Sequence, residues 1–152
     1  MAVNNVRIAA SPTVVFDVLA DGWTYSNWVV GTSHMRAVEA NWPGVGSHLF
    51  HASGPWPVVH RDDTVVDEVE RGRRLVLTAR ARPFGTAKIA IELADDGSGG
   101  CDVTMTETPS SGPGLWLHNP AFDALLARRN TEALARLRCL CERHTTPVED
   151  VS

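Results

Sequence analysis

Hydrophobic positions along the chain change their period three times, and each change marks an element. Residues 4–10, "NNVRIAA", alternate, with Val6 and Ile8 on one face, which predicts a strand. Val14, Val15, Val18 and Leu19 then fall at helical spacing, with Phe16 beside them. Ser11 is placed to cap this helix, Pro12 to open it and Gly22 to follow its end. A second short helix over residues 23–29 follows, and Gly31 stops it. This first quarter of the chain holds Phe16, Trp23, Tyr25 and Trp28, a large aromatic surface for so short a segment.

Alternation returns after Gly31 and persists. Strands are predicted over residues 33–40, 47–53, 58–70, 74–82, 86–94 and 101–108, separated by short turns rich in Gly, Pro and Asp. Such spacing predicts an antiparallel meander. Ile89, Ile91 and Leu93 share one face against Lys88, Ala90 and Glu92, and Leu75, Leu77, Ala79 and Ala81 do the same in the preceding strand. A sheet with one apolar face needs a cover. Residues 120–143 supply it: Asn119 caps, Pro120 opens, and Phe122, Leu126, Ala133, Leu137 and Leu140 make one helical stripe. About 25 helical residues span ~37 Å, enough to cross a sheet. The fold class is therefore α+β: a curved antiparallel sheet of about seven strands on a long C-terminal helix, with two short helices after the first strand.

Composition narrows the function classes. The 152 residues fit one domain, expected over residues 1–144, with 145–152 as a flexible tail. The net charge of −4 comes with no basic block beyond "RGRRL" at 71–75, which reads as a turn, so nucleic acid is not expected as a partner. No apolar run reaches the ~20 residues that span a bilayer, so no membrane is expected, and no secretory leader is visible. Three cysteines are an odd number and suggest no disulfide framework, which points to a reducing cytoplasm. The expected assembly is a monomer or homodimer.

The order of elements, with "ASPTVVFDVLADGWTYSNWV" at the front, resembles the START-related helix-grip superfamily (SRPBCC), and within it the polyketide cyclase/dehydrase-like bacterial branch. Ala10, Ser11, Pro12, Val15, Phe16, Leu19, Ala20, Asp21 and Trp28 carry the likeness, together with Glu107 and "RNTEALARL" at 129–137. The resemblance implies a sheet that grips the long helix and short helices that close one end, with a cavity between. Phe16, Trp23, Tyr25 and Trp28 would then be partly core and partly cavity wall. Fold-level likeness does not fix chemistry, since members of the group bind or transform many apolar ligands.

Two residues stand out as acid/base candidates. Val103, Met105 and Glu107 share a strand face, so Glu107 points inward if the other two are core, and it then needs a partner. Arg129, one turn before Ala133, is the expected partner, with Asn130 on the other flank of the stripe. His51 faces inward with Leu49 and Ser53 if Leu49 does, whereas His48 faces the other way. His60, Asp62 and Asp63 are expected to be solvated at the start of a long edge strand. No phosphate loop, dinucleotide fingerprint or zinc-protease motif is present, and no metal or other cofactor is expected. In "CLCERH", Cys139 and Cys141 point to opposite sides of a helix, so only Cys141 and His144 could share a face. The connector "PSSGPGLWLHN" at 109–119 suits a flap, with Trp116 and Leu117 as its apolar anchor.

The expected ligand-contacting set is Trp28, His51, Trp56, Leu77, Ile91, Met105, Glu107, Trp116, Leu126, Arg129 and Ala133. The leading expectation is binding of a hydrophobic or aromatic small molecule in an internal cavity. The alternative is a cyclase, dehydratase or aromatase acting on a polyketide-like substrate through Glu107 and His51. The resemblance also admits a module that regulates a protein partner, which would show as a stoichiometric partner and an empty cavity.

Overall fold

The computed structural model of the chain describes residues 1–54, 57–116 and 119–145. Trp56, Leu117, His118 and the tail 146–152 lie outside the described residues, as does the side chain of His144. The elements are β1 (Ala2–Ile8), α1 (Pro12–Ala20), a 3-10 turn (Gly22–Thr24), α2 (Tyr25–Trp28), β2 (Thr32–Val38), β3 (His48–Ser53), β4 (His60–Glu70), β5 (Arg74–Ala81), β6 (Gly85–Asp95), β7 (Cys101–Ser111), a second 3-10 turn (Pro113–Leu115) and α3 (Pro120–Thr145). The strands form one antiparallel sheet in the order β1-β7-β6-β5-β4-β3-β2. The helix-grip expectation holds: an open seven-stranded sheet with a long C-terminal helix.

The caps lie where side-chain chemistry requires them. The Ser11 hydroxyl accepts the Val14 N–H at 3.3 Å, and Asn119 Oδ1 accepts the Phe122 N–H at 2.8 Å. Ile8, Val15, Phe16, Leu49, Leu75, Leu77, Ile91, Val103, Leu134 and Leu137 are buried in one continuous core with Cys101 and Cys141. The alternation read from the strands is therefore the alternation of this core.

Four expectations change in detail. The second helix is a 3-10 turn followed by a single α-helical turn. Trp23 is turned to solvent at 58% exposure, whereas Phe16, Tyr25 and Trp28 are buried. Gly22 follows α1 as expected, but not for left-handed backbone. A Cβ there would lie 2.6 Å from a methyl of Leu49 and 2.8 Å from one of Val38, so the residue is set by close packing against the sheet. Finally, β4 lies between β5 and β3 rather than at an edge, so Asp62 is buried, not solvated. Asp62 Oδ2 accepts the Arg82 backbone N–H at 3.3 Å, and Arg82 Nε stands 3.8 Å from Oδ1.

Candidate functional site

The site is built where three elements end together. The turn joining β5 and β6, the last residues of β7 and the first turns of α3 frame a cavity of about 580 Å³. Ala81, Phe84, Gly85 and Ala87 come from the β5–β6 hairpin, Pro109 and Glu107 from β7, and Phe122, Leu125 and Leu126 from α3, with Val30 from the segment after α2. The wall is overwhelmingly apolar. Phe84 and Leu125 are 55% and 64% exposed, so the cavity opens through large hydrophobic side chains held in solvent.

One buried carboxylate stands in the wall. Glu107 is buried, and both its oxygens accept from Arg129 Nη2, at 2.6 Å and 2.5 Å. Asn130 Nδ2 donates to Oε2 at 2.8 Å. Three charge-assisted hydrogen bonds satisfy a carboxylate that would otherwise be costly to bury. The expected ion pair therefore exists, and it ties α3 to β7. Arg129 Nη1 has no hydrogen-bond partner among the described residues, and Arg129 lines the cavity.

Behind this pair lies a chamber of about 20 Å³, the size of one water molecule. It shares Val30 and Arg129 with the open cavity. Trp28, Leu77, Met105 and Ala133 line this inner chamber with Tyr25, Ile89 and Asn130. Leu126, Glu107 and Arg129 line the open cavity, whereas Ile91 is packed in the core. Trp116 is 90% exposed on the connector and lines neither space, and Trp56 lies outside the described residues. Ala81 continues the apolar face read from the sequence, but the open cavity also depends on residues the pattern did not single out: Phe84 in a turn, Leu125 off the helical stripe, Arg128, and the small Ala87. An aromatic residue in a Pro-Phe-Gly turn was the available signal.

His51 belongs to a separate hydrogen-bonded string. Its Nε2 lies 3.0 Å from Thr64 Oγ1, its Nδ1 lies 3.1 Å from Ser53 Oγ, and Thr64 Oγ1 lies 3.1 Å from the Tyr25 hydroxyl. Burial pushes the Tyr25 phenol up to about 12, opposed by its bond to Thr64. Burial also holds His51 below its ordinary 6.5, against the pull of Asp62 and Asp63. Tyr25 reaches the inner chamber, but His51 lines neither space, so His51 and Glu107 do not face one another across the open cavity.

The His51 environment predicts a pH dependence. A proton taken up at 6.5 in the unfolded chain binds the folded chain only at lower pH, so protonation favours unfolding. The stabilisation is complete above pH 6.5 and is lost as pH falls through the lower folded value. Denaturant midpoints measured from about pH 7.5 down to about pH 5 should decline more steeply in the native protein than in His51→Gln. Parallel declines would show that His51 does not carry the effect.

The cysteines follow their helix faces. Cys139 is exposed and Cys141 buried, its thiol pushed up to about 12 by burial. Among the described residues no three His, Cys, Asp or Glu side chains are grouped to hold a metal. No helix among them is long and apolar enough to cross a membrane.

The fold recurs in solved structures. The aromatase/cyclase Zhui from Streptomyces sp. R1128 superposes with a TM-score of 0.72 over 99% of this chain and 98% of its own, at 14% identity. A protein from Nitrosomonas europaea gives 0.69 over 94% of both chains at 17% identity. The di-domain ARO/CYC StfQ of the steffimycin biosynthetic pathway gives 0.63, with 94% of this chain covering 50% of that one, at 14% identity. These identities carry the fold alone. No curated protein matches the sequence. A family model does match, from residue 2 to residue 142, across the sheet, both short helices and nearly all of α3. On that match the chain belongs to the family described as polyketide cyclase / dehydrase and lipid transport.

Proposed function

We propose that the protein binds a hydrophobic or aromatic small molecule in the cavity at the open end of the grip. The observation that carries this reading is the cavity itself: about 580 Å³, apolar, and open through Phe84 and Leu125. That volume falls within the range of small-molecule sites, roughly 300–1,000 Å³ with a few polar groups in an apolar wall. Glu107, Arg128, Arg129 and Glu132 supply the polar groups. The test is titration with the apolar fluorophore N-phenyl-1-naphthylamine. Saturable binding at one site is expected, weakened about tenfold or more when Ala87→Trp fills the wall, because the indole occupies volume that the ligand would fill. Fluorescence that neither saturates nor responds to that substitution would overturn the reading.

A second reading is catalysis of the cyclase, dehydratase or aromatase type on a polyketide-like substrate. Family membership supports it, as does the string from His51 through Thr64 to Tyr25 at the inner chamber. Proton transfer requires a group within hydrogen-bond reach of the reacting atom, or one water away. Tyr25 meets that condition for a ligand reaching the chamber, and His51 acts only through it. Incubation with a poly-β-ketone surrogate separates the readings: turnover lost in both His51→Ala and Glu107→Gln, with binding retained, supports the enzyme. Binding without product supports the carrier.

A further inference from the structure

The charges around the cavity do not cancel, and the imbalance falls on one residue. Four charged side chains line the space: Glu107, Arg128, Arg129 and Glu132. Glu107 is neutralised by Arg129. Glu132 accepts from Arg136 Nε at 2.9 Å, and Arg136 itself does not line the cavity. The neighbouring charges are matched as well. Asp123 stands 3.5 Å from the N-terminal ammonium, Arg82 beside Asp62, and Arg80 Nη1 3.2 Å from Asp63. Arg128 is exposed at the rim and has no hydrogen-bond or ion-pair partner among the described residues.

The result is one uncompensated cation at the mouth of an apolar cavity, in a protein whose net charge is −4. A local surplus against the overall sign is not what solubility requires, and it sits where a ligand must enter. Beside it, Arg129 offers its free Nη1 as a second donor, while adding no net charge because Glu107 already balances it. Two adjacent guanidinium groups thus present N–H donors to the same space from successive residues of α3. A guanidinium pairs with a carboxylate in a planar, directional geometry that an alcohol cannot reproduce.

Resting on the proposed function, we infer that the ligand is an anionic amphiphile. Its apolar body fills the cavity between β6, β7 and α3, and its carboxylate lies at the rim against Arg128, with Arg129 Nη1 as the inner donor. Arg128 is then the residue that sets specificity for the charged end. The apolar walls supply most of the affinity and do not depend on it.

The experiment displaces bound N-phenyl-1-naphthylamine with three ten-carbon chains: decanoate, decanol and decyltrimethylammonium. Decanoate is expected to compete at about five- to tenfold lower concentration than decanol, the range of a charged hydrogen bond at a partly exposed site. The cation should be the weakest of the three. The preference should shrink at high salt, because an exposed ion pair is screened. In Arg128→Gln it should fall below about twofold, while decanol competes as before, and Arg128→Lys should restore it only in part, because an ammonium supplies the charge without the planar fork. Equal competition by decanoate and decanol in the native protein would overturn the inference, as would a preference unchanged in Arg128→Gln. A fluorophore that does not bind at all would instead remove the cavity-binding reading on which this one rests.

Discussion

Replacing Gly85 with alanine is expected to lower the unfolding free energy by about 3–5 kcal/mol, combining backbone strain with overpacking. Gly85 has φ +109°, a conformation that a side chain disfavours. A Cβ at this position would also overlap the Ser111 carbonyl oxygen and crowd the Gly112 Cα. Neither neighbour is a flexible side chain. Both are backbone, Ser111 at the end of the β6–β7 ladder and Gly112 just past it, and Thr86 Oγ1 reinforces that end through hydroxyl contacts to Ser110 at 2.9 Å and Ser111 at 2.6 Å. The two strands must therefore separate at the cavity rim. Gly97→Ala provides the control. Its φ is +80°, but a Cβ there meets nothing within 4 Å, so it carries the strain alone, about 1 kcal/mol. Urea unfolding of both variants separates the contributions. A Gly85→Ala loss no larger than that of Gly97→Ala would show that the rim accommodates the methyl group.

Arg129→Met carries the second large effect, a loss of about 3 kcal/mol. The substitution leaves a buried carboxylate with Asn130 as its remaining donor. Glu107→Gln is expected to cost less, about 2 kcal/mol, because Arg129 is 33% exposed and can turn toward water. The combined variant Glu107→Leu with Arg129→Met should be more stable than Arg129→Met alone, since no charge is then left behind. Thermal unfolding reads the difference, at roughly 2–4 °C per kcal/mol for a domain this size. Losses within experimental error in both single variants would show that the pair is solvated and contributes little.

Several features were legible before the structure because they depend on period and sign. Val103, Met105 and Glu107 share a face in the sequence pattern, and the first two are core, so Glu107 had to enter the interior and find a cation on the covering helix. The caps at Ser11 and Asn119 were legible for a similar reason, since capping is local. Depth along a strand was not legible. Alternation places Leu77 and Ala87 on inward faces alike, but only pairing puts Leu77 at the inner chamber and Ala87 at the open cavity. Asp62 shows the same gap. An acidic pair at the start of a strand reads as solvated unless strand order places it between two others. Phe84 and Leu125 escape periodicity for the opposite reason: apolar residues in a turn and off the stripe carry no periodic signal, and the cavity opens through them.

The position of β1 has a consequence for how the chain reaches this state. Every other pairing in the sheet joins strands consecutive in sequence, whereas β1 pairs with β7, setting Ala2 opposite Glu107 and Ile8 opposite Cys101. Hairpins between neighbours close short loops. The β1–β7 ladder must close most of the chain, and loop-closure entropy makes such contacts slow to form. The meander from β2 to β7 can therefore zip by successive hairpins while β7 still presents an unpaired edge, the kind of template that invites association between chains. Docking of β1 is thus a late event in folding that covers the β7 edge and leaves the shorter β1 as the sheet's border.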